Sequence, residues 1–247
     1  GLEGWWRRVV PALKEAGIGA FIANSYSGRG IDATSGDQGR LSRAARDVDV
    51  LMALKAVSQI PRVDAGRIGV TGYSFGGGVS IDVASDRIAG AVLGSELRFM
   101  AHLPAYPNCI LYDKPEMTGA PIHLLLAGKD DYTPVSFCYA MIGELKEAGV
   151  PVTQALYEDA GHGFVKNREL FSPDGLTARD CDPARLTDEG YLAGNGASDR
   201  EGGWRGYVRA VIKSCGTRGV HALGTAATRQ RALEDTVDFF VETLTGQ

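Results

Sequence analysis

The stretch Gly72-Tyr73-Ser74-Phe75-Gly76 constrains this chain more than any other. It follows a short apolar run at residues 68–71 and precedes small residues at 77–80. G-x-S-x-G in that setting reads as a strand, a sharp turn and the start of a helix. The turn is strained, so Gly72 and Gly76 are read as positions where a side chain would collide with the adjoining strand or helix. The strain lifts the Ser74 hydroxyl clear of the backbone at the helix N-terminus. There the Phe75 amide and the helix dipole face any oxyanion that forms. The competing reading is a glycine-rich turn with a surface serine, because the bare pattern recurs by chance; the strand before and the helix after argue against it.

Periodicity predicts the elements around this turn. Apolar Trp6, Val9, Val10 and Leu13 mark a helix over 5–16, with Pro11 inside it and Gly17 as its stop. A short strand is expected at 18–23, then a Gly-, Ser- and Asp-rich loop at 24–39, then a helix over 41–60 that Pro61 ends. After the turn and its helix, to about residue 84, come a strand at 88–93 and an irregular stretch at 95–120. A strand at 122–127, a helix over 135–148 and a strand at 152–157 follow. Residues 165–203 are polar with little periodicity, too long for an ordinary connector, and a helix over 225–244 closes the chain. Alternating strands and helices predict an α/β fold, a doubly wound and mostly parallel sheet. The 247 residues, 44% hydrophobic, suffice for one domain with a long insertion or flap at about 165–215.

A serine nucleophile needs a base, and the base needs an orienting group. After the strand at 122–127 comes Gly128-Lys129-Asp130-Asp131-Tyr132-Thr133-Pro134. A carboxylate there lies on the same rim of a parallel sheet as Ser74. The acid is one of two neighbours: Asp130 is preferred, and Asp131 is then expected to cap the helix that begins near Pro134. After the strand at 152–157 comes Gly161-His162-Gly163, whose glycines let the loop turn His162 toward the serine. The other histidines, His102, His123 and His221, have no such setting. The chain order Ser, Asp, His is that of α/β-hydrolases.

A net charge of −4 and a pI near 5.6 argue against a nucleic-acid partner. No apolar run approaches the ~20 residues of a membrane span. Cys109, Cys138, Cys181 and Cys215 form no CxxC pair, and no histidine is spaced for zinc. Their count fits either two disulfides in an oxidising compartment or four buried thiols, and spacing leaves both open.

Three motifs, Gly72-Tyr73-Ser74-Phe75-Gly76-Gly77, Asp130-Asp131-Tyr132-Thr133-Pro134 and Ala160-Gly161-His162-Gly163-Phe164, together with the loop Asn24-Ser25-Tyr26-Ser27-Gly28-Arg29-Gly30, resemble the dienelactone hydrolase family of α/β-hydrolases over about residues 1–165 and the last helix. The resemblance implies an α/β-hydrolase-like fold without organic or metal cofactor. It departs from the family in three ways. The namesake enzymes carry cysteine in this turn, whereas Ser74 with a histidine base suits ordinary carboxylic esters. The basic residues that the family would place against a substrate carboxylate have Arg29 and Lys166 as their nearest matches, and lysine is no substitute for arginine at a bidentate site. The fold that the resemblance implies has strands before Trp5, one central to the sheet, whose loop gives the second oxyanion donor. The chain opens at Gly1, not Met, so it is read as processed or trimmed, lacking N-terminal strands, with Leu2 in the second donor's place. The resemblance also implies a Cys109–Cys138 bridge, leaving Cys181 to Cys215, and with them a periplasmic or secreted protein.

The chain is therefore expected to be a serine esterase using Ser74, His162 and Asp130, with Phe75 and Leu2 as oxyanion donors and a small-molecule ester as substrate. Tyr26, Tyr132, Phe75 and Phe164 are candidate walls of its pocket, with ordinary packing the competing reading and the preferred one for Phe164; Arg29 and Lys166 beside them are either substrate contacts or solvated side chains. The alternative is a non-catalytic protein of the same fold that binds a ligand or partner.

Overall fold

The computed structural model describes residues 2–95 and 97–246. The first half holds α1 (Glu3–Glu15), α2 (Arg43–Ser58), β1 (Gly69–Tyr73), α3 (Phe75–Asp82), α4 (Asp86–Leu93), β2 (Ala101–Ala105), β3 (Leu111–Tyr112) and β4 (Ile122–Ala127). The second holds α5 (Val135–Glu147), β5 (Val152–Tyr157), β6 (Glu169–Thr177), β7 (Arg185–Leu186), β8 (Leu192–Gly194), β9 (Ala197–Ser198), α6 (Asp199–Cys215), β10 (Thr217–Leu223) and α7 (Ala226–Thr245). Strands β1-β2-β4-β5 form a parallel sheet in that order, so the α/β expectation holds. Parallel pairing brings all four carboxyl ends to one rim.

Period-two alternation along β4 feeds two cores. Leu125 and Ala127 join Trp5, Val9, Phe240 and Leu244 on the face covered by α1 and α7. Ile122, Leu124 and Leu126 join Ile81, Met141, Leu145 and Tyr207 on the face of α3, α5 and α6. Both faces of the sheet are thus covered, as its apolar strands require.

Three expectations fail, each for a physical reason. Residues 88–93 belong to helix α4, because Ser85 caps it by accepting from the Ile88 amide and Gly94 ends it. A short apolar run fits a buried helix as well as a strand. Strand β2 lies in the stretch expected to be irregular; its Ala-His-Leu-Pro-Ala sequence is buried throughout and shows no alternation. Residues 18–23 form no strand and leave Phe21 63% and Ile22 52% exposed. Among the described residues no strand pairs with this segment or with the free edge of β1, and an extended segment without a ladder partner is not a strand. The polar stretch after 165 is built of β6 to β9 and the start of α6, with β6 paired antiparallel to β10.

Both implied disulfides are present, Cys109–Cys138 and Cys181–Cys215. Cys181 and Cys215 close the excursion near the point where Thr177 pairs with Thr217. Among the described residues no helix is long and apolar enough to cross a membrane.

His102, on β2, is fully buried. Its Nδ1–H donates to the Ser80 carbonyl at 2.8 Å, and Nε2 has no partner among the described residues. Burial lowers its pKa to about 4, against the small opposing effect of the Ser80 bond. The unfolded chain binds this proton near pH 6.5 and the folded chain only near 4, so stability falls as pH drops through that window. The loss is expected to reach roughly 3 kcal/mol. Urea midpoints from pH 7 to 4 should show a wild-type decline that is absent in His102→Asn; equal slopes would remove His102 as the cause.

Candidate active site

Ser74 stands between β1 and α3 with φ 58° and ψ −121°, a region that non-glycine residues avoid. Its amide donates to the Ala105 carbonyl, and its own carbonyl accepts from the Gly78 and Asn108 amides. The turn needs glycine at 72, where a Cβ would lie 2.0 Å from the Gly76 carbonyl oxygen. The expected collision at Gly76 is absent, since a Cβ there meets nothing within 4 Å. The second tight position is Gly77, where a Cβ would lie 2.9 Å from the Ala105 carbonyl of β2.

The ends of β1, β4 and β5 bring three predicted side chains into line. Ser74 Oγ lies 2.8 Å from His162 Nε2, and His162 Nδ1 lies 2.8 Å from Asp130 Oδ2. An ionised carboxylate only accepts, so it fixes the imidazole proton on Nδ1 and leaves the Nε2 lone pair to the hydroxyl. The Asp130 side chain is 2% exposed and that of His162 10%. Asp130 Oδ1 accepts from the amides of Tyr132 and Thr133, which compensate the buried charge.

The loop carrying His162 is tied to β10. The Gly161 amide donates to the Leu223 carbonyl, and the Leu223 amide to the His162 carbonyl. Gly161 makes room for Leu223, whose Cβ would lie 2.9 Å from an added Cβ, and Gly163 has φ 71°. Tyr132 and Tyr106 pack edge-on against the imidazole, with centroids at 4.7 and 5.1 Å.

Asp131 does not cap α5, whose N-cap is Pro134 without a side-chain bond. It accepts from the His221 amide at 2.8 Å and His221 Nδ1 at 2.7 Å, with Arg179 close by. The neighbouring aspartates thus divide: one meets His162, and the other holds β10.

Leu2 caps α1, its carbonyl accepting from the Trp5 and Trp6 amides, while Gly1 lies outside the described residues. Phe75 opens α3 under the Arg46 guanidinium, 3.7 Å from its ring centroid, and meets Trp204 edge-on at 5.9 Å. The Tyr26 ring centroid lies 5.2 Å from the same guanidinium. Arg29 is engaged by a forked bond to Asp49 at 2.7 and 2.9 Å, so its charge is already matched. Lys166 is half-buried with no carboxylate partner among the described residues; burial, then Arg168, lower its pKa. Phe164 is fully buried against Tyr106 and Tyr157, a core residue and not a pocket wall.

Two close neighbours of the imidazole had no assigned role. Tyr106 follows β2 at φ 35°, and its place on the rim became visible only with that strand. Thr133 sits inside the motif of Asp130, and its hydroxyl reaches both Asp130 and His162.

Residues 1–187 match the sequence profile of the dienelactone hydrolase family. No curated protein sequence matches the chain. Among solved structures, MGS-M1, an alpha/beta hydrolase enzyme from a Medee basin deep-sea metagenome library, is 24% identical over 51% of this chain and 52% of its own, with a TM-score of 0.40. A carboxylesterase from Lactobacillus plantarum is 14% identical over 52% of this chain and 57% of its own, with a TM-score of 0.39. A thermophilic esterase from Thermogutta terrifontis is 17% identical over 50% of this chain and 58% of its own, with a TM-score of 0.42. The chain thus spans little more than half the length of these proteins.

Proposed function

The chain belongs to the dienelactone hydrolase family, and from that premise we propose that it is a serine hydrolase that cleaves carboxylic esters through an acyl-enzyme on Ser74. The observation that carries this reading is the run of contacts from Ser74 Oγ through His162 to Asp130, each 2.8 Å long. His162 Nε2 takes the hydroxyl proton as Ser74 Oγ attacks the ester carbonyl. The oxyanion meets the Phe75 amide at the start of α3, with Leu2 as the second donor. His162 then gives its proton to the departing alkoxide. A water, deprotonated by the same nitrogen, attacks the acyl-enzyme, and His162 returns that proton to Ser74 Oγ as the acyl–oxygen bond breaks and the carboxylic acid leaves. Asp130 holds the ring and balances the charge it carries between these steps.

Residues 1–247 are read as one α/β-hydrolase-like domain. The insertion at about 165–215 roofs the rim through Trp204, whose ring meets Phe75 and whose N–H donates to the Gln38 carbonyl. Tyr26 and Tyr132 are read as walls, and Lys166 as the cation left for an acidic substrate group, since Asp49 occupies Arg29. Two disulfides suit an oxidising compartment, so export is part of this reading.

The test uses p-nitrophenyl acetate and a fluorophosphonate probe. A burst of p-nitrophenol approaching one equivalent per chain, and a phosphonyl adduct on the Ser74 peptide, are expected. Absence of both would leave a non-catalytic binding protein of the same fold.

A further inference from the structure

An ionised carboxylate offers about four acceptor sites, two on each oxygen. Those of Asp130 are all taken. Oδ1 accepts from the Tyr132 amide at 2.9 Å and the Thr133 amide at 2.8 Å. Oδ2 accepts from His162 Nδ1 at 2.8 Å and from Thr133 Oγ1 at 3.0 Å. The two amides already orient the carboxylate. The Thr133 hydroxyl, however, does more than complete the set: its oxygen lies 3.2 Å from His162 Nδ1 and 3.4 Å from the Tyr106 carbonyl oxygen.

A hydroxyl has one proton and two lone pairs, and it rotates to suit its neighbours. Between Asp130 Oδ2 and the Tyr106 carbonyl, the Thr133 proton has two acceptors. Pointed at Asp130, it shares Oδ2 with the imidazole N–H. Pointed at Tyr106, it frees Oδ2 and turns an oxygen lone pair toward Nδ1–H. Tyr106 is anchored to β4 by its amide, which donates to the Leu125 carbonyl at 2.7 Å.

We propose that Thr133 is a positioning residue of the Ser74–His162–Asp130 relay, its Oγ1 serving as a second acceptor for His162 Nδ1–H while the ring carries the proton taken from Ser74. This rests on the esterase reading above. The Ser74 O–H bond breaks and an Nε2–H bond forms; at Thr133 only the direction of an O–H bond changes, and no heavy atom moves. The contact strengthens as charge develops on the ring. Its loss therefore belongs in kcat and not in KM.

Thr133→Val keeps the shape and removes the hydroxyl, while Thr133→Ser keeps the hydroxyl and removes a methyl. With a p-nitrophenyl ester, T133V should lose about tenfold in kcat, the worth of one hydrogen bond, with KM within about twofold. T133S should stay within about twofold of wild type in both. The low-field proton NMR resonance of His162 Nδ1–H, recorded with the imidazole protonated, should move in T133V and return in T133S. A packing role for Thr133 predicts the reverse pattern, with T133V active and T133S impaired, and that result overturns the proposal. So does a resonance that T133V leaves in place. If T133V fails to fold, Thr133→Ala, which also lacks the hydroxyl, is read against T133S in the same way. If wild type neither hydrolyses the ester nor takes a fluorophosphonate on Ser74, the esterase reading falls, whereas the resonance comparison still decides the Thr133 contact.

Discussion

Replacing Ser74 by alanine is expected to lower kcat for ester hydrolysis by about 10⁶-fold, the effect that removal of the nucleophile has in a serine protease. His162→Ala should cost about as much, and the double variant no more than either alone, because a nucleophile without its base and a base without its nucleophile are equally idle. Asp130→Asn should cost about 10⁴-fold, since an amide at that position can hold the wrong imidazole tautomer. Ser74→Gly carries a second consequence. Ser74 occupies φ 58° and ψ −121°, a conformation that costs a side-chain-bearing residue about 1–3 kcal/mol and glycine far less. S74G should therefore be inactive and yet more stable than wild type. Steady-state kinetics and urea unfolding on the same preparations read both effects. A wild-type enzyme whose S74A variant keeps a few per cent of its rate would place the nucleophile elsewhere.

The rim was legible in the sequence because each of its three motifs follows a strand that announces itself. Residues 68–71 and 122–127 are largely apolar runs closed by glycine, residues 152–157 are a strand-like run closed by the charged pair Glu158-Asp159, and their counterparts β1, β4 and β5 differ from them by two residues at most. Strand β2 did not announce itself, since alanine and Pro104 carry little strand signal and burial on both faces erases alternation. Missing it hid Tyr106 at its end. The order of preference between Asp130 and Asp131 was legible, but the role of Asp131 was not, because what engages it is β10, whose His221 lies 90 residues downstream. The polar segment after 165 gave little pattern because β6 is mostly exposed and β7 to β9 are only two or three residues long, so their order comes from pairing and from the Cys181–Cys215 bridge.

Arg43→Met is expected to destabilise the fold by about 3–5 kcal/mol, the cost of leaving a buried charge without its partner. Arg43 lies on α2 with its side chain 5% exposed, and Asp82 lies on α3 at 2%. The guanidinium meets both carboxylate oxygens, Nε on Oδ2 and Nη2 on Oδ1, the second at 2.9 Å. Burial alone would lower the pKa of Arg43; the adjacent Asp82 outweighs it and raises the value, so the arginine stays charged. Asp47 beside the pair is pushed well above the usual carboxylate range, first by burial and then by Asp82. Removing Arg43 thus leaves the Asp82 carboxylate without a cation, beside Asp47 and the Tyr112 hydroxyl that donates to it at 2.6 Å. The damage should reach the site as well. Arg43 Nη1 donates to the Asn108 carbonyl and side-chain oxygens at 3.1 and 2.9 Å, and the Asn108 amide donates to the Ser74 carbonyl at 3.2 Å. Arginine here props the turn from behind, in a space that Gly78 keeps open, where a Cβ would lie 2.9 Å from Nη2. Urea unfolding should place R43M far below wild type, and R43M with Asp82→Leu should recover part of the loss, because apolar groups of similar volume replace an ion pair at little cost. R43M within about 1 kcal/mol of wild type would mean that water reaches Asp82 and that the turn does not depend on this pair.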